Sequence, residues 1–259
     1  LLDSCKNENF INEISVNKAD HIQLENLKME YLKRYGSTHN LLHFSTYLAE
    51  KLKDAENADL LQVLFLEKII EGTKEWEGIT EDPLTYFVKD FENSFRQRYP
   101  ESTHSAKIVK ILSDYFINNE KEVAYNFFAI DTMGQETNLV NYRGKTVVLD
   151  FWASWCVPCL QQMPYLEKIK EEFADENVVF ITVNMDDDEA KWKNFIRKKK
   201  PYNEISTRLP LGGKDPQATK MEVNTLPVYQ IIDKEGRYIT HDGPKPSSAV
   251  FSEILRLSL

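Results

Sequence analysis

Two cysteines three residues apart, Cys156 and Cys159, are the side chains in this sequence best suited to covalent chemistry. They follow a short apolar run, Val147 to Trp152, interrupted only by Asp150. They precede Leu160, Met163, Leu166, Ile169 and Phe173 at helical spacing. The first run reads as a strand buried on both faces, the second as a helix. A thiol at a helix start feels unpaired backbone N–H groups and the positive end of the macrodipole, which favour its thiolate. That end is worth ~0.3–1 kcal/mol to a nearby charge and about 2 when buried, against about 1.4 per pKa unit. A thiol starting from ~8.5 is thereby lowered by about one unit, which makes Cys156 a competent nucleophile near neutral pH. Cys159, a turn further in, can attack the mixed disulfide that Cys156 forms.

The pattern disfavours a metal. A structural zinc site wants four ligands, yet the only other cysteine is Cys5. None of His21, His39, His43, His104 and His241 lies at ligand spacing from the pair. His39 and His43 stand four apart, without a carboxylate or cysteine in register. No metal and no cofactor is expected beyond a redox-active Cys156–Cys159 disulfide.

Residues Asp150-Phe-Trp-Ala-Ser-Trp-Cys-Val-Pro-Cys159 closely resemble the thioredoxin active site, and Pro164 matches that family's kink proline. More narrowly, the stretch is similar to the extracytoplasmic TlpA and ResA kind of thiol-disulfide oxidoreductase. Phe127 to Asp131, Gly134 and Tyr142-Arg-Gly-Lys145 resemble the hairpin before the first strand in that kind. Thr225-Leu-Pro-Val-Tyr-Gln-Ile-Ile-Asp233 with Gly236 resembles the cis-proline strand and its following hairpin. The resemblance covers about residues 123–259. It implies that Asp150 is the buried acid taking the Cys159 proton, and that Pro227 lies against the disulfide. Trp155, Val157, Pro158 and Leu226 are then expected to meet the substrate. It further implies protein disulfide or dithiol clients, an upstream electron donor and a periplasmic location. Two positions depart from the pattern: Gln162 stands where several members have a glutamate, and Leu226 replaces the usual threonine or isoleucine.

These residues need a scaffold, and the chain supplies two kinds. From Val147 onward strands alternate with helices: 147–152, 156–173, 178–184, 188–199, 227–232, 238–240 and 247–257. That order predicts a mixed sheet with helices on both faces, and the resemblance implies that it is an α/β thioredoxin-like domain over 122–259. From Asp20 to Glu120 the pattern is helical throughout, with five apolar stripes. It predicts an all-α bundle over 20–121, after a flexible segment 1–19 and joined by a linker at 118–125. Asp186-Asp-Asp-Glu189 reads as carboxylates opening a helix rather than a calcium loop. Gly212-Gly213 lacks the spacing of a phosphate loop.

Composition narrows the function. With 42% hydrophobic and 28% charged residues the chain is of globular type, and its net charge of −9 leaves no basic footprint for nucleic acid. Leu1-Leu-Asp-Ser-Cys5 reads either as the end of a lipoprotein signal, with a lipid anchor on Cys5, or as a free thiol on a frayed terminus. Homo-oligomerisation through the helical half is a further expectation. Two rival functions stand beside disulfide exchange. One is a binding protein with a passive thioredoxin-fold module, against which the intact cysteine pair argues. The other is a thiol peroxidase, which requires a threonine where this chain has Ala153.

Overall fold

A computed structural model describes residues 18–35, 41–52, 57–71, 81–118, 122–199 and 205–259. Cys5 and His39 lie outside the described residues, as does the His43 side chain. Two compact units emerge, Leu1–Phe87 and Val88–Leu259. The first holds helices α1 (Lys18–Tyr35), α2 (Leu41–Lys51) and α3 (Ala58–Glu71). In α3 the run Leu61 to Leu66 is buried on every side, Gln62 included. Asn57, just before α3, accepts from Leu61 N–H through its carbonyl, and its side chain donates to buried Asp20.

The division falls inside α4 (Glu81–Arg98), whereas the sequence places it near residue 121. An amphipathic stripe shows that a helix face is buried without showing what covers it. Helix α5 (Ser105–Asn118) buries Ile108, Leu112 and Phe116 and packs along the C-terminal helix α9 (Ala249–Ser258). The expected linker is also partly structured. Ala124 N–H donates to Gly236 O and Tyr238 N–H to Glu122 O, which ties 122–124 to the sheet edge.

The sheet has seven strands: β1 (Phe128–Asp131), β2 (Glu136–Asn138), β3 (Thr146–Trp152), β4 (Val178–Asn184), β5 (Ile205–Arg208), β6 (Val228–Ile232) and β7 (Tyr238–Thr240). Their order is β2-β1-β5-β4-β3-β6-β7, with β3, β4 and β5 parallel and the outer pairings antiparallel. Every residue of β3 is buried, Thr146 and Asp150 along with its apolar residues. Helices α6 (Val157–Glu172), α7 (Glu189–Lys199) and the short α8 (Pro216–Lys220) complete the unit. Strand β5 and helix α8 have no counterpart among the elements expected from the sequence. No described helix is long and apolar enough to cross a membrane.

Because α5 belongs to the second unit, Leu112→Ala should destabilise that unit by about 2–5 kcal/mol, the range for emptying a buried leucine site. Tryptophan fluorescence reads it, since Trp152, Trp155 and Trp192 all fall within 88–259. A denaturation curve unmoved by the substitution would return α5 to a separate bundle.

Candidate active site

Strand β3 ends at Trp152 and α6 begins at Val157, so four residues must turn the chain from sheet to helix. Cys156 N–H donates to Ala153 O, closing that turn. Cys156 then occupies the N-cap position of α6 with extended backbone, and its sulfur accepts from Cys159 N–H at 3.2 Å. Sulfur thus takes the place of the oxygen that usually satisfies a first-turn donor. Pro158 sits in the first turn, where a missing N–H costs nothing. Cys156 and Cys159 are joined as a disulfide with their Cα atoms 5.3 Å apart. Both are buried, while Trp155, Val157 and Pro158 beside them are exposed.

The turn has an anchor that sequence reasoning misread. Asp186 is buried, three residues before α7, and it opens no helix. Its carboxylate accepts from Ser154 N–H and Ser154 Oγ, both at 3.0 Å, and from Asn184 Nδ2 at 2.9 Å. Three donors thus converge on this one carboxyl group. Gly212 explains how the neighbouring loop fits: a Cβ there, at φ +57°, would lie 2.3 Å from Asp186 O. No cluster of metal-ligating side chains occurs among the described residues.

Asp150 lies on β3 between Thr182 of β4 and Tyr229 of β6. It is buried, and its Oδ1 has no hydrogen-bond partner among the described residues. Burial raises its pKa from 3.8 to about 7, against the lowering field of Lys170, while Glu167 adds to the rise. Lys170 is a second residue the sequence reading passed over. Only 1% exposed on α6, it donates to Glu167 at 3.0 Å, and burial pushes its pKa down. Its one sequence cue was Glu167 three residues earlier, a spacing common on exposed helix faces.

The Leu226–Pro227 peptide is cis. Val228 pairs with Phe151, so Pro227 stands opposite the Trp152 end of β3, from which the cysteine turn departs. Leu226 is half-buried against the core that contains both cysteines. Gln162, one turn beyond Cys159, accepts from Ser247 N–H at 3.0 Å.

The Redoxin family matches this chain over residues 114–254, more than half its length. The chain belongs to the Redoxin family. Its C-terminal half is a thioredoxin-like protein of the TlpA/ResA type, and the chain is a thiol-disulfide oxidoreductase. It is 32% identical over 130 residues to the thiol-disulfide oxidoreductase ResA of Bacillus thuringiensis subsp. konkukian, covering 48% of this chain and 72% of that one. The thioredoxin-like protein YneN of Bacillus subtilis is 33% identical over 110 residues, 42% of this chain and 63% of that one. A solved thiol-disulfide oxidoreductase from Bacteroides fragilis superposes with a TM-score of 0.48 at 20% identity, covering 53% of this chain and 100% of that chain.

The raised Asp150 pKa has a consequence for stability. Unfolded Asp150 releases its proton near 3.8 and folded Asp150 near 7, so the unfolded state binds fewer protons between those values. Stability therefore falls as pH rises through that window, by on the order of 4 kcal/mol once above it. In the oxidised protein, Asp150→Asn should stabilise by a few kcal/mol at about pH 8 and by little at about pH 4. Urea unfolding at the two pH values reads the difference, and an equal effect at both would contradict the assignment.

Proposed function

We propose that this oxidoreductase works by dithiol–disulfide exchange through Cys156-Val-Pro-Cys159 and reduces protein disulfides outside the cytoplasm. The observation that carries the reading is the Cys156 sulfur at the head of α6, accepting from Cys159 N–H beside exposed Trp155 and Val157. A helix start that stabilises a partial charge on sulfur in the disulfide stabilises a full one better in the thiolate.

In the reducing direction the Cys156 thiolate attacks one sulfur of a client disulfide. A mixed disulfide forms and the other client sulfur leaves as a thiolate, which takes a proton. Cys159 then loses its proton and attacks the Cys156 sulfur, expelling the second client thiolate. The client gains two electrons and two protons, and the pair ends as the disulfide. An upstream dithiol donor restores it by the reverse exchange. In this scheme Asp150 accepts the Cys159 proton, a role suited to a carboxyl group titrating near 7. Pro227 and Leu226 bound the client's approach, with Trp155, Val157 and Pro158 as its contact surface. The periplasmic location rests on the TlpA/ResA type of the domain. Lipid anchoring at Cys5 and self-association through the helical half remain part of the proposal.

Trapping tests the scheme. Cys159→Ser should accumulate mixed disulfides with reduced-and-reoxidised client proteins, resolved by dithiothreitol on a gel, and Cys156→Ser should accumulate none. Insulin reduction should be lost in both. Asp150→Asn should slow release of the mixed disulfide more than its formation between about pH 5 and 8. Trapping by Cys156→Ser in place of Cys159→Ser would reverse the roles.

A further inference from the structure

The second unit carries a set of contacts outside the cysteine chemistry, between α4 and residues 242–248, which connect β7 to α9. Lys89 forms an ion pair with Asp242. Lys245 Nζ donates to Asp90 Oδ1 at 2.8 Å. Ser248 Oγ donates to Glu92 Oε2 at 2.8 Å, and Arg96 occupies the other Glu92 oxygen. Glu92 is only 2% exposed. Burying a carboxylate this far costs free energy that its partners offset at best, so its use is positional more than stabilising.

The same segment also touches elements that carry the redox site. Gly243 N–H donates to Tyr229 O at 2.7 Å, two residues after Pro227. A Cβ on Gly243 would sit 2.8 Å from Thr240 Cγ2 and 3.2 Å from Tyr229 O, so the backbone is closely seated there. Ser247 N–H donates to Gln162, one turn past Cys159. The segment therefore bridges β6 just after Pro227, the first turns of α6, and α4.

We propose that Lys89, Asp90 and Glu92 of α4 are positioning residues: they fix the 242–248 segment as one wall of the client site and so set which protein disulfides can dock. The inference rests on the disulfide-exchange function proposed above. A small disulfide reaches Cys156 without leaning on that wall, whereas a folded or bulky protein substrate must fit against it. Loosening the wall then weakens protein docking while leaving the thiol chemistry intact, a change in KM rather than kcat.

The test uses the full chain, with Asp90→Asn, Lys245→Gln and the exchanged pair Asp90→Lys/Lys245→Asp. The two single variants alter net charge in opposite senses, so a shared effect reports the contact and not the field. Each should raise KM for insulin about two- to fivefold, as expected for a partly exposed ion pair, with kcat unchanged. The rate with 5,5′-dithiobis(2-nitrobenzoate) should stay at the wild-type value, and the exchanged pair should recover most of the insulin KM. Unchanged KM in the single variants would overturn the inference. So would parallel losses on insulin and the small disulfide with a lowered Tm, which would make α4 a brace only, or failure of the exchanged pair to recover. If the wild-type protein reduced neither substrate, the exchange function itself would fall, and this inference with it.

Discussion

A sulfur atom has to stand at the head of a helix, and most of the second unit is arranged around that requirement. Strand β3 delivers the chain to the site only because it is buried from end to end, with β4 and β6 on its flanks. Four residues then separate sheet from helix. Asp186 restrains this turn by accepting from Ser154 through both backbone and side chain. With Ser154 fixed and the Cys156 N–H engaged by Ala153, the Cys156 sulfur meets the Cys159 N–H that an ordinary cap would satisfy.

Asp150 and Lys170 are both buried ionisable groups, and desolvation acts on them in opposite directions. It raises Asp150 and lowers Lys170, moving each toward its neutral form. Their mutual field opposes the shift without cancelling it, and Glu167 binds the lysine from the exposed side of α6. A carboxyl group that titrates near neutral pH can both accept and return a proton under working conditions. The cost of holding it there appears in the stability of the fold, which links the chemistry of the site to its thermodynamics.

Elements with strong local patterns were legible in the sequence. The ends of β4 and β7 coincide with those read from the apolar runs, and α6 begins one residue later because Cys156 is its cap rather than its first turn. Strand β5 was not legible: Ile-Ser-Thr-Arg offers four residues and little apolar alternation, and its partners β1 and β4 are remote in sequence. Asp186 was misread because carboxylates near a helix start have a local explanation, whereas its actual partner, Ser154, lies 32 residues away. The division between the two units lies elsewhere than the stripes suggest, for a related reason. The stripes of α4 and α5 fit a bundle or a sheet-bearing domain equally well, and the contacts that decide, such as Glu92 with Ser248, span 156 positions. The motif that carries the cysteine pair is local in sequence; the restraints that position it are long-range.

The most direct measurement is the pH dependence of alkylation in the reduced protein, with the modified cysteine located by mass spectrometry. A sulfur at the head of α6 predicts that Cys156 reacts first across the range, with an apparent pKa below ~8.5 and below that of Cys159. Reaction at Cys159 first, or equal titration of the two thiols, would contradict the claim that the start of α6 is what makes this pair reactive.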